Sequence, residues 1–100
     1  MKNTTRSSNG TSFYNDTFHA SVTDLRQICG APVCEDNLGD DKVNFEWIME
    51  TDSGDVFTIY DWKEYRILEE TEIIEWHIGG HGGNVTEQAL NEIATELNDL

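Results

Sequence analysis

Positive charge is what this chain has least of: six Lys or Arg stand against 20 Asp or Glu in 100 residues, for a formal net charge of −14 at pH 7. Such a field repels polyanions at long range and argues against general binding to DNA, RNA or an anionic membrane surface. It leaves room for a basic protein partner, or for a small anion held where local charge outweighs a field screened over about 8 Å at physiological salt. Cysteine is scarce as well. Cys29 and Cys34 flank Gly30-Ala31-Pro32-Val33, which is too few for a disulfide framework, and no second Cys/His pair at ligand spacing points to zinc; ordinary reduced thiols are expected. No apolar run approaches the length of a membrane span, and the first residues lack the apolar core of a secretion signal, so the chain reads as a soluble cytoplasmic protein. The Asn-x-Ser/Thr triplets at Asn3, Asn9, Asn15 and Asn84 then reflect a chain rich in Asn and Thr rather than glycosylation.

What is present argues for folding. Hydrophobic residues make up 37% and aromatics 10% of the chain, more than disordered chains of this charge carry. The length suits one domain with a single modest core. Residues 1–11, MKNTTRSSNGT, read as a disordered polar tail, and 12–100 as a single α+β domain. Ser12 to Ala20 has the aromatics of an edge strand or of a segment laid over the core. Ser21 with Asp24 resembles a capping box ahead of the helical face Val22, Leu25, Ile28 and Cys29, which Gly30 and Pro32 end.

From Lys42 the period becomes two, with Val43, Phe45, Trp47 and Met49 alternating with Asn44, Glu46, Ile48 and Glu50. Thr51 to Asp55 is a hairpin turn with Gly54 at positive φ, and Val56 to Lys63 returns as a central strand, apolar on both faces. Glu72 to Ile78 is the third strand. Asn84, with Glu87 three residues on, reads as the N-cap of a helix carrying the stripe Val85, Ala89, Leu90, Ile93, Ala94, Leu97 and Leu100. That stripe fits the chain's own sheet or a second copy. The expected fold is a small antiparallel β-meander of three or more strands with two covering helices.

Two stretches carry candidate chemistry. In WHIGGHGGNVTE (Trp76 to Glu87) a strand runs through glycines into a helix start, an arrangement in which N–H groups and the helix dipole meet phosphate. It lacks the Lys-Ser/Thr of a P-loop and the dinucleotide-binding spacing, so on its own it supports a sharp sheet-to-helix turn more than a phosphate cradle. In YDWKEYR, Lys63 and Arg66 lie beside Tyr60, Trp62 and Tyr65, a grouping suited to stacking a base while neutralising a phosphate; a half-buried strand ending in solvated charges is the alternative. His77 and His81, with His19, are more simply packed or solvated residues than metal ligands. No local signature selects a nucleophile or a tuned acid–base pair, and at the end of its helix the dipole raises the Cys29 pKa. Neither catalysis nor a metal or cofactor is expected.

Phe45-Glu46-Trp47, Gly54 with FTIYDWKEYR (Phe57 to Arg66), and EWHIGGH (Glu75 to His81) together resemble a family of very small phage-encoded proteins over roughly Thr23 to Ile93. That family resembles the phage nucleotide sponges that defeat CBASS, a bacterial defence signalling with cyclic oligonucleotides. The resemblance implies a protein of the host bacterial cytoplasm that binds a cyclic dinucleotide such as 3′,3′-cGAMP without cleaving it, within a homo-oligomer (dimer or tetramer). Carried over are Trp47, Tyr60, Trp62, Lys63, Tyr65, Arg66 and the His77 to His81 loop. The ligand-binding residues expected are Tyr60, Trp62 or Tyr65 on bases, Lys63 and Arg66 on phosphates, and the Gly79 and Gly80 backbone, flanked by His77 and His81, on a phosphate or base edge. The alternative from charge alone is an acidic DNA mimic or protein-binding inhibitor of a host nucleic-acid enzyme; a signal-degrading enzyme and an adaptor domain are weaker readings.

Overall fold

The computed structural model describes every residue from Met1 to Leu100, in the order β1 (Lys2–Asn3), β2 (Ser12–Ala20), α1 (Val22–Cys29), β3 (Cys34–Glu35), β4 (Phe45–Glu50), β5 (Val56–Tyr60), β6 (Ile74–Gly80) and α2 (Gly83–Asn98). The strands form one antiparallel sheet ordered β1-β4-β5-β6-β2, with β3 pairing β4 beside β1. The expected α+β meander is therefore present as β4-β5-β6, extended at both edges by segments distant in sequence.

Alternation decides the two faces. Phe45, Trp47 and Met49 of β4 align across the register with Phe57 and Ile59 of β5 and with Trp76 and Ile78 of β6, and all are buried with Leu25 and Cys29 of α1 and Ala89 and Ile93 of α2. Trp47 meets Trp76 edge-on, with ring centroids 5.6 Å apart. The α2 stripe is spent on this core: Ala89 and Ile93 are buried and Val85, Leu90 and Leu97 pack against it, which answers whether the stripe covers the chain's own sheet. Ala94 and Leu100 remain exposed.

The local chemistry at the turns is largely as the residues dictate. Ser21 and Asp24 form a full capping box on α1. Gly54, at φ +86, closes the β4–β5 hairpin, where Thr51 N–H donates to Asp55 O at 2.9 Å. At α2 the expectation fails. The N-cap is Gly82, not Asn84, and no side chain caps the helix; β6 runs on through Gly80, so the chain is already turning when it reaches Asn84, and Val85 and Thr86 donate to Gly82 O instead.

The polar segment 1–11 is not a loose tail. Lys2 and Asn3 pair with Glu50 and Met49 on the outer edge of β4, satisfying backbone groups an edge strand would otherwise expose. Thr4 is buried, and Asn3 Nδ2 donates to Cys29 O and Ala31 O. Residues 5–11 then join one sheet edge to the other across the face away from the helices, where Val56 and Thr58 are each buried.

Candidate functional site

On that same face the pairing places Glu46 of β4 opposite Tyr60 of β5, and Tyr60 opposite His77 of β6; Cys34 of β3 lies opposite Glu46 on its other side. Side chains opposite one another in a sheet project to one face, so these four form a row. Beyond it Thr58 is opposite Gly79, and Gly79 opposite Phe13. An open cleft of about 410 Å³ lies over these residues, with Phe13, Cys34, Glu46, Tyr60, Trp62 and Gly79 in its walls. Its volume falls within the range of small-molecule sites.

Aromatic rings dominate one side. Phe13 stacks on His77 at 4.3 Å between centroids, and His77 lies 5.6 Å from Tyr60 and 6.4 Å from Trp62. Trp62 stands edge-on to Tyr60 at 6.1 Å and is 40% exposed. Two ammonium groups approach its ring, Lys63 Nζ at 5.5 Å and Lys42 Nζ at 5.8 Å from the centroid, within cation–π range. The ion pairs of the protein involve Met1, Arg6, Arg26 and Arg66. Lys42 and Lys63 therefore keep their charge free of carboxylate partners.

The loop bearing Trp62 is held from below. Strand β5 ends at Tyr60, short of the expected Lys63, because Asp61 turns inward: its Oδ1 accepts from Asn44 N–H at 2.9 Å and Phe45 N–H at 2.8 Å. Lys63 N–H donates to Lys42 O at 2.8 Å, and Asn44 Nδ2 donates to Arg66 O at 2.7 Å. Lys63 and Tyr65 take positive φ of 56° and 51°, a conformation that non-glycine residues hold only where surrounding bonds fix it. Burial raises the Asp61 carboxyl above its ordinary range, opposed by the N–H groups of Phe45 and Asn44.

Of the residues expected at a site, the structure brings Tyr60, Trp62, Lys63, His77 and Gly79 together. The others are elsewhere or engaged. Trp47 is fully buried, its Nε1 donating to Gly30 O at 2.8 Å. Arg66 makes a bidentate pair with Glu72, both bonds 2.8 Å, so its guanidinium is already neutralised. Tyr65 is exposed outside the cleft, and His81 is exposed beside Gly10.

The glycine cradle is corrected too. Gly79 and Gly80 are strand residues paired with β5 on one side and β2 on the other, so their backbone serves the ladder rather than an anion. Their smallness has a packing cause: a Cβ on Gly79 would lie 2.7 Å from Thr58 Oγ1, and one on Gly80 2.9 Å from Thr86 Cγ2. No cluster of three or more His, Cys, Asp or Glu is placed to hold a metal ion.

Sequence reasoning missed Lys42, Glu46 and Phe13. The first two were within reach, since the hairpin centred on Thr51–Asp55 sets Glu46 against Tyr60 and carries Lys42 alongside Lys63. Phe13 was not, because the β2–β6 pairing joins segments some sixty residues apart with a break in register between Phe13 and Thr17.

Fold and site together define a small α+β domain with an aromatic cleft flanked by two free lysines, and no helix is long and apolar enough to cross a membrane. No family model matches the chain, and no match is found among curated proteins or among solved structures.

Proposed function

We propose that this protein binds and sequesters a cyclic dinucleotide second messenger, such as 3′,3′-cGAMP, without cleaving it, and in a phage-infected bacterium starves CBASS defence of its signal. One observation carries the reading: an exposed Trp62 ring at the cleft mouth with the unpaired ammonium groups of Lys42 and Lys63 beside it. A nucleobase stacks on such a ring at about 1–3 kcal/mol per base, and the adjoining phosphates meet the two cations. This grouping is the local positive site that a chain of net charge −14 needs to hold an anion.

The cleft is of a size for one nucleotide, whereas a cyclic dinucleotide has two bases. A second copy of the chain, offering the same cleft to the second base, completes the site, so the ligand favours a homo-oligomer. In the host cytoplasm the protein then works as a stoichiometric trap rather than as a turnover enzyme.

The test is thermal denaturation across a panel of cyclic di- and trinucleotides. Ligand at one hundred times its dissociation constant should add about 2.7 kcal/mol of stability, and denaturing the complex should return the ligand chemically intact. A flat response to every ligand would remove the proposal. Linear or hydrolysed product would instead indicate an enzyme. A second reading is favoured by the surface charge, in which the chain inhibits a host nucleic-acid enzyme by occupying its basic surface; that binding would survive Lys63→Glu, whereas nucleotide binding would not.

A further inference from the structure

Glu46 sits in the cleft between Cys34 and Tyr60, and its carboxylate is used by nothing in the protein. Burial raises its pKa above the ordinary 4.5. A half-buried carboxylate without a donor is an unfavourable thing to leave in a binding site unless the ligand supplies the donor. Asp41 also borders the cleft, but is exposed to solvent. Tyr60, whose phenol is held neutral by the same burial and by Glu46, offers one hydroxyl across the register.

Three requirements fall on the occupant. It must present a flat face to Trp62, negative charge to Lys42 and Lys63, and a pair of neutral N–H donors to Glu46. An arginine or lysine side chain from a protein partner would satisfy the carboxylate, but would bring a third cation to a ring that already has two. Adenine has the flat face, yet its pairing edge sets a lone pair on N1 beside the N6 donor, so against a carboxylate it makes one bond and meets one repulsion. Guanine presents N1–H and the N2 amine side by side. Both are donors at the spacing of the two carboxylate oxygens.

We infer that Glu46 is the base-reading residue of the cleft and that the ligand it selects is a guanine nucleotide, the guanine stacked on Trp62 with its N1–H and N2 amine on the Glu46 carboxylate. This rests on the reading of the cleft as a cyclic dinucleotide site and narrows it to messengers containing at least one guanine. Specificity of this kind comes from the mismatch left behind: a ligand without the donors strands a desolvated carboxylate, and discrimination by missing hydrogen bonds exceeds what apolar contacts achieve.

Isothermal titration of the full chain with 3′,3′-cyclic di-GMP, 3′,3′-cyclic di-AMP and 3′,3′-cyclic di-IMP tests it, repeated with Glu46→Gln. Cyclic di-GMP should bind the native protein at least about tenfold more tightly than cyclic di-AMP, the discrimination usual for one bidentate base contact. Cyclic di-IMP, which keeps N1–H and lacks the N2 amine, should fall between them. Glu46→Gln should weaken cyclic di-GMP about tenfold or more and leave cyclic di-AMP unchanged or tighter, since the amide suits adenine. Equal affinity for all three ligands in the native protein overturns the inference while sparing the dinucleotide site, and so does a guanine preference that survives in Glu46→Gln. Binding of none of the three overturns both. The inosine comparison needs no variant and decides the matter should Glu46→Gln misfold.

Discussion

The Asp61 carboxylate accepts the Asn44 backbone N–H at 2.9 Å with one oxygen, while its other oxygen and the Asn44 side-chain carbonyl are both buried without a partner. Two acceptors shut in one fully buried pair of residues leave a donor missing. The residue that ties β5 to β4 beneath the Trp62 loop therefore does so at a cost, which a change of one atom should remove.

Asp61→Asn keeps the oxygen that serves Asn44 and Phe45 and replaces the orphaned oxygen with an NH₂ donor. It should stabilise the protein at pH 7 by roughly 1 kcal/mol, whereas Asp61→Ala, which strands two backbone N–H groups, should destabilise it by about 2–4 kcal/mol. The pH dependence follows from burial raising the Asp61 pKa above 3.8. The folded state then keeps a proton that the unfolded chain has released, so this residue lowers stability as pH rises from 3.8 through its folded value. Urea titrations over that range should show the decline in the native protein and its loss in Asp61→Asn. A large destabilisation by Asn would contradict the missing-donor account.

Lys63 and Arg66 are three residues apart but should differ in what they do. Lys63→Ala and Lys42→Ala each remove an unpaired cation beside Trp62 and should weaken cyclic dinucleotide binding by about tenfold, with a shallower salt dependence. Arg66→Ala removes a guanidinium already paired with Glu72 and should leave affinity within about twofold, as a solvated pair contributes little. Titration calorimetry on the three variants would read this directly; a loss in Arg66→Ala equal to that in Lys63→Ala would count against the placement of the site.

Gly79→Ala should be harmful to folding before any ligand is added. The new methyl would meet Thr58 Oγ1 at 2.7 Å, and overpacking of this kind costs about 1–3 kcal/mol. Gly79→Ala combined with Thr58→Ala should recover part of the loss in a double-mutant cycle, since the colliding oxygen is gone. No recovery would place the strain elsewhere.

The two thiols should be separable by reactivity. Cys29 is buried, and that burial with the charge of Glu96 pushes its pKa up to about 12; Cys34 is partly exposed, with its own pKa raised chiefly by burial. A maleimide at pH 8 should label Cys34 slowly and Cys29 only on unfolding, as counted by intact mass. Equal labelling of both in the native state would show that α1 opens readily.

Much of the fold was legible because it is written in local pattern. The alternation from Phe45 to Met49, the turn at Gly54 and the Ser21–Asp24 box each appear where their residue types require. The N-terminal strand was not, since Lys2 and Asn3 carry no apolar signal and gain their structure from the open edge of β4. At the site, Trp62 and Lys63 were visible as neighbours in sequence. Arg66 is equally prominent there, but its partner Glu72 lies within the irregular connection to β6, where no periodic pattern points to the pairing. The glycines misled for a different reason: Gly79 and Gly80 look like a loop in sequence, but they are small because Thr58 and Thr86 press on a strand.

The central claim is that Trp62, with Lys42 and Lys63, receives a cyclic dinucleotide that the protein holds and does not destroy. Isothermal titration of 3′,3′-cGAMP into the native chain and into Trp62→Ala, followed by chromatography of the ligand released on denaturation, tests it most directly. The account predicts saturable binding to the native chain, affinity reduced roughly ten- to a hundredfold in Trp62→Ala, and ligand recovered intact. No heat of binding to the native chain, or affinity unchanged by loss of the Trp62 ring, would contradict it.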